Sequence, residues 1–261
     1  MYEKRHRPVN PAPVEEIEGQ LEGRNALTEA LRSGRTIDKV FIASGETDRA
    51  LQRLAAQAKE AGAVVVPVDR RKLDAMSTTH AHQGVITLAA AHEYCSLDDI
   101  LEEAAQRGEN ALIVICDELT DPHNLGAIMR SAECAGAHGV IIPKRRSVGL
   151  TATVGKASAG AVEYMKVARV NNINNAIAEL KEKGVWIFGT AAEGSIPMYK
   201  ADLTGPAAIV IGNEGAGMSQ LVRKNCDVMV HIPMKGRISS LNASAAASIL
   251  LYEAVRQRLE G

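Results

Sequence analysis

Leu112-Ile113-Val114-Ile115-Cys116, followed by Asp117-Glu118-Leu119-Thr120-Asp121-Pro122-His123-Asn124-Leu125-Gly126-Ala127-Ile128-Met129-Arg130, decides the fold. The first five residues are apolar without alternation. That predicts a strand buried on both faces, as in a parallel sheet covered by helices. A polar loop turns at Pro122, and Asn124 is a candidate cap for the helix that follows. Leu125, Ile128, Met129 and Ala132 recur at helical spacing and form a stripe for the core. Arg130 falls off that stripe, within two turns of the loop, and can reach back toward the strand ends.

The same alternation continues toward the C-terminus. Strands are expected at 140–142, 185–188, 208–211 and 228–232, and helices at about 125–135, 172–183, 217–225 and 240–259. Toward the N-terminus, Ser96 with Asp99 three residues on opens a helix to about residue 106. Residues 91–95 read as a linker. Before them, a strand near Val40–Ala43, a helix from Asp48 to Ala61 stopped by Gly62, and strands at 64–66 and 85–88 form a first α/β unit. It spans 17–90, roughly 70 residues, a size that is marginal alone. Residues 1–16 are polar, carry Pro8, Pro11 and Pro13, and read as a flexible arm.

Composition narrows the function. Hydrophobic residues make up 46 % of 261, enough for a sizeable core. One Trp, five Tyr and two Phe are too few for base stacking to be the main grip on a nucleic acid. The formal net charge of −1 excludes nonspecific coating of nucleic acid, so any such contact is local. Lys4–Arg7, Arg70–Lys72 and Lys144–Arg146 are the candidate basic clusters, with solvated surface charge the alternative for each. The four cysteines show no paired or ligand spacing, and no metal site is expected. No apolar run approaches ~18 residues, so no membrane segment is expected and the chain reads as cytoplasmic.

Ligands of open α/β sheets sit beyond the carboxyl ends of the strands. Three post-strand segments stand out. The first is the 117–130 stretch. The second is Gly212-Asn213-Glu214-Gly215-Ala216-Gly217, whose glycines permit close approach of backbone to a ligand. Its order is not the dinucleotide fingerprint. The third is 233–247, where a polar loop with Lys235, Gly236 and Arg237 leads to a small-residue helix starting near Ser240. Each also reads as an ordinary cap or turn. Gly149 to Gly155-Lys156 resembles a phosphate loop, but five residues separate its glycines and Ala157 follows the lysine.

Together these segments resemble the SpoU (TrmH-like) RNA 2′-O-methyltransferases of the SPOUT superfamily. The first supplies Asn124, Gly126, Arg130 and Gly136; the second Gly212, Asn213, Glu214 and Gly217; the third Ile232, Pro233, Met234, Gly236, Ser240, Leu241, Asn242 and Ser244. They stand in the family's order across 96–261. Alanines at 243 and 245 replace valines common in the family. Lys156, Ser158, Gly160 and Glu163 resemble the segment between the first two motifs. Glu22–Leu27 and His82–Val85 give the first unit the look of a ribosomal-protein-L30e-like RNA substrate-binding domain. The whole arrangement is similar to bacterial 23S ribosomal RNA guanosine-2′-O-methyltransferases (RlmB-like).

The resemblance implies an α/β fold with a parallel-sheet SPOUT catalytic domain and a C-terminal trefoil knot. It also implies a homodimer, RNA rather than DNA as partner (23S ribosomal RNA above all), and S-adenosylmethionine as cofactor, with Gly212, Ile232 and Leu241 lining its site. Relatives of this architecture modify tRNA or other ribosomal nucleotides, and a noncatalytic RNA-binding assembly factor on the same fold is a further alternative. The implied catalytic residues are Arg130, Asn124, Glu214, Ser240 and Asn242. Family proposals give the arginine the role of general base. A guanidinium stays protonated in proteins, so we expect Arg130 to grip the phosphate beside the target ribose and favour negative charge on its oxygen. The other four would position it and the sugar. The need for a 2′-hydroxyl excludes DNA.

Overall fold

A computed structural model describes residues 19–45, 48–191, 194–213, 215 and 217–260. The expected arm, residues 1–16, and Glu214 lie outside the described residues. The chain divides into two units between Ala89 and Ala90.

In the first unit, β1 (Gln20–Glu22), β2 (Ile37–Ala43), β3 (Val64–Val68) and β4 (Val85–Ala89) form a mixed sheet in the order β1-β4-β2-β3. Helices α1 (Arg24–Arg32) and α2 (Arg49–Glu60) bury Leu27, Leu51 and Ala58 with Val40 and Val85. Asp48 caps α2, its carboxylate accepting from the Ala50 N–H at 2.8 Å. The basic stretch Arg70-Arg71-Lys72 opens a further helix, α3 (Arg70–Met76), which seats Leu73 against Ala43, Val68 and Ile86. Arg24 pairs with Asp48 and donates to the Gln83 carbonyl at 3.2 Å, so it ties loops of its own unit together.

The second unit is a seven-stranded sheet, parallel at every pairing. Its strands are β5 (Leu112–Cys116), β6 (Gly139–Pro143), β7 (Val167–Val170), β8 (Trp186–Thr190), β9 (Ile196–Pro197), β10 (Ala207–Ile211) and β11 (Val228–His231), in the order β7-β6-β5-β10-β8-β11-β9. The apolar run of β5 explains the two-layer covering. Leu112, Val114 and Cys116 join a core with α5 (Pro122–Cys134) and α9 (Ala243–Glu260). Ile113 and Ile115 join another with α4 (Leu97–Arg107), α7 (Ile173–Glu182) and α8 (Gln220–Asn225). Ser96 and Asp99 make the expected reciprocal capping box on α4.

Several local readings differ from the structure. Pro122 is the first residue of α5 and Asp121 caps it, accepting from the His123 N–H at 2.9 Å; Asn124 is already inside the helix. Proline at the first helical position decides between the two possible caps. Helix α9 begins at Ala243, not near Ser240, because Asn242 Oδ1 takes the N–H of Ser244 at 2.9 Å. A short helix, α6 (Ala152–Ala157), stands where the phosphate-loop resemblance fell, and its Ala157 Cβ leaves no room for a side chain at Gly126 on α5. Residues 91–95 lie within the second unit, where Ala91 N–H donates to Leu150 O at 3.0 Å and Cys95 N–H to Val167 O at 2.9 Å.

Candidate active site

Because the sheet is parallel, the loops after β5, β8, β10 and β11 leave from one edge. There the loops after β8, β10 and β11 enclose a cavity of 530 Å³. Gly212, Ile232 and Leu241, the expected cofactor residues, all line it, together with Ser240.

Gly212 owes its identity to a close approach. The turn after β10 folds back, so a Cβ on Gly212 would lie 2.4 Å from the Gly217 carbonyl carbon and 2.4 Å from the Met218 nitrogen. Paired bonds close the turn: Asn213 N–H to Gly217 O at 3.0 Å, and Gly217 N–H to Asn213 O at 2.8 Å. The turn is fastened to the loop after β5. Buried Asp117 accepts from the Ser219 N–H at 2.8 Å, and Asn213 Nδ2 donates to the Glu118 carbonyl at 3.3 Å. Sequence reasoning assigned no role to Asp117 or Ser219. The available signal was an acidic residue placed directly after a doubly buried strand.

The amide pair is the second feature. Asn124, 6 % exposed on the first turn of α5, accepts from Asn242 Nδ2 at 2.9 Å. Asn242 uses its oxygen at the start of α9, so one side chain both caps a helix and joins it to α5. Farther along, the Ser131 and Ser248 hydroxyls meet at 2.7 Å and hold the two helices together.

Arg130 is not brought to the cavity of its own chain. It stands exposed on α5, its side chain making no hydrogen bond or ion pair to any described residue, and it does not line the cavity. Asn124 and Asn242 also lie outside the cavity wall. The expected set thus falls into a cavity group (Gly212, Ser240, Ile232, Leu241) and a helix group (Asn124, Arg130, Asn242).

Cavity shape and lining suit a nucleoside-sized, partly apolar ligand. Ile211, Ile232 and Leu250 give apolar walls, while the glycine turn presents backbone groups. Burial pushes the Cys116 thiol up to about 12 and the Cys226 thiol up to about 11, which leaves both as poor nucleophiles. Among the described residues no group of three His, Cys, Asp or Glu is placed to hold a metal ion.

Residues 111–252 match the SpoU rRNA Methylase family model, and 20–95 match that of RNA 2′-O ribose methyltransferase substrate binding. A Bacillus subtilis (strain 168) protein assigned to the TrmH family of tRNA/rRNA methyltransferases is 47 % identical over 236 residues, covering 90 % of this chain and 94 % of its own. The AdoMet complex of the SpoU methyltransferase AviRb from Streptomyces viridochromogenes superposes with a TM-score of 0.60 at 27 % identity, covering 93 % of this chain and 91 % of the other. An AdoMet-bound rRNA methyltransferase from Sinorhizobium meliloti gives 0.57 at 25 % identity, with 91 % and 86 % covered.

Proposed function

Because this chain belongs to the SpoU rRNA methylase family, we propose that its substrate is the ribose of a guanosine in 23S ribosomal RNA. The chain is an S-adenosylmethionine-dependent RNA 2′-O-methyltransferase. The choice of ribosomal RNA is supported by the match to the Sinorhizobium meliloti rRNA methyltransferase, which covers 91 % of this chain. One observation carries the site: the glycine turn after β10 and the loop after β11 close over a single cavity at the carboxyl edge of the sheet.

S-adenosylmethionine supplies, when bound, a methyl carbon on a positively charged sulfur. Gly212, Ile232 and Leu241 would hold it in the cavity, with apolar contacts and backbone groups replacing water. The ribose hydroxyl is a weak nucleophile, so a cation near its oxygen and a fixed approach lower the barrier. Arg130 supplies that cation in this reading, gripping the adjoining phosphate. Asn124 and Asn242 join α5 to the start of α9, and Ser240 and Glu214 orient the sugar. Since Arg130 stands away from the cavity of its own chain, the reading includes a homodimer that seats α5 of one copy beside the cavity of the other. It also includes the trefoil knot and a cytoplasmic setting.

Mapping 2′-O-methyl marks in RNA from cells with and without the protein tests the target. Loss of one methylguanosine in 23S RNA, restored by the wild-type chain, is expected. Loss of a tRNA mark with 23S RNA unchanged would overturn the choice of substrate.

A further inference from the structure

The turn after β6 carries Lys144, Arg145 and Arg146, and neighbouring β7 adds Arg169. In a chain of formal net charge −1, this is a local accumulation of cations. It is held in place. Lys144 N–H donates to Val170 O at 2.8 Å, and Arg169 donates to Lys144 O at 3.5 Å with its guanidinium 5.3 Å from the Tyr94 ring centre. Arg145 is exposed and makes no hydrogen bond or ion pair with any described residue.

The cluster is also fixed to the cavity rim. Arg146 pairs with Glu118 at 2.9 Å, and the Glu118 carbonyl accepts from Asn213, a cavity residue. Arg146 and Glu118 both take left-handed backbone conformations, φ 56° and 56°, which non-glycine residues adopt only where surroundings enforce them. Ser147 Oγ and Val148 N–H both donate to Leu119 O at 3.0 Å. In the sheet only β5 separates β6 from β10, whose end forms the cavity wall. Two strand spacings put the basic turn about 10 Å from that wall.

Surface arginines and lysines with no task are normally dispersed among carboxylates. Here several converge, one strand beyond the loops that would hold the methyl donor, and Arg146 among them is paired with Glu118. We propose that Lys144, Arg145 and Arg169 form a phosphate clamp on the methylase unit that grips the RNA backbone beside the target nucleotide. The clamp divides substrate recognition between the two units, with the first unit adding affinity and the clamp setting the register of the strand at the cavity. This rests on the RNA methyltransferase reading.

The test compares the full-length chain with K144Q/R145Q, neither residue being part of the cavity or the amide pair. Binding to transcribed 23S fragments and to tRNA is followed by fluorescence anisotropy over a series of potassium chloride concentrations. Losing two phosphate contacts should make the log–log salt slope shallower by about 1.4. KM for RNA should rise on the order of 10-fold, with cofactor affinity and Tm unchanged. A wild-type salt slope and KM in an active K144Q/R145Q variant would overturn the clamp and leave the enzyme reading standing. Salt-sensitive RNA binding that K144Q/R145Q weakens, in a wild type that methylates no RNA, would support the clamp and sink the enzyme reading.

Discussion

Gly212→Ala isolates the geometric claim on which the cofactor site depends. The added Cβ would meet the Gly217 carbon at 2.4 Å, the Met218 nitrogen at 2.4 Å and the Gly217 oxygen at 2.7 Å, all backbone atoms. Ordinary carbon contacts lie at ~3.5–4.0 Å, so the two strands of the turn must part by roughly 1 Å. The turn's paired hydrogen bonds lengthen together, at about 0.5–1.5 kcal/mol each, and overpacking adds about 1–3 kcal/mol. A loss of about 2–6 kcal/mol follows, or roughly 4–24 °C in Tm for a domain of this size. The displaced turn is the cavity wall, so affinity for S-adenosylmethionine by calorimetry should fall about 10-fold or more, some 1.4 kcal/mol. Gly205→Ala is the control, since no atom lies within 4 Å of the Cβ it would add. If Gly212→Ala matched that control in Tm and cofactor affinity, the close approach would have no bearing on the site.

Arg130→Ala should lower kcat by about 10²–10³-fold while calorimetric cofactor affinity stays within error; an equal loss of cofactor binding would refute its assignment to the RNA side. Asn242→Asp keeps the oxygen that starts α9 but removes the N–H given to Asn124, so kcat should drop by about 10-fold or more. Tm should drop less than in Asn242→Ala, which loses both bonds; a wild-type kcat in Asn242→Asp would exclude the amide pair from the site. His138 is buried, accepts from the Leu112 N–H at 3.0 Å and contacts Glu109 at 3.1 Å; burial, then the charge of Arg107, pushes its pKa below the ordinary 6.5. The unfolded chain therefore binds this proton more readily, and the histidine's contribution is complete above pH 6.5 and lost as pH falls through the lowered folded value. In urea titrations from neutral to acid pH, His138→Gln should lose stability less steeply than wild type; parallel curves would show that this histidine is not the titrating group.

Legibility followed physical constraint. β5 was readable to the residue because both its faces are buried and every side chain is apolar. The α5 stripe Leu125, Ile128, Met129 and Ala132 was readable for the same reason, all four being fully buried. β7 was not foreseen, since Arg169 interrupts a short strand at the sheet edge that needs only one apolar face. α3 hid behind its basic first turn, because its fixed point, Leu73, contributes a single apolar residue at its centre. At the site, the glycine pattern announced a close approach but could not say to what. That depends on Gly217 and Met218 returning over Gly212, held by Asp117 from another loop. The pairing of Asn124 with Asn242 joins residues 118 positions apart, and no local pattern carries such a contact.

The division between the cavity group and the helix group follows from the two kinds of task. Holding a nucleoside-sized cofactor needs shape, which backbone supplies with little dependence on side-chain chemistry. Hence the cavity wall combines the glycine turn with apolar side chains such as Ile211, Ile232 and Leu250, and Asp117 holds the turn by accepting from the Ser219 backbone N–H. Steering an anionic RNA strand needs charge that can meet solvent before binding. Arg130 and Arg145, to which we assign that steering, are both exposed, while groups that fix their elements are buried or paired. A catalytic arginine buried in the cavity would need a permanent carboxylate partner to offset its desolvation, and that partner would quench the charge meant for phosphate. Leaving the guanidinium in water until RNA or a second subunit covers it avoids this conflict.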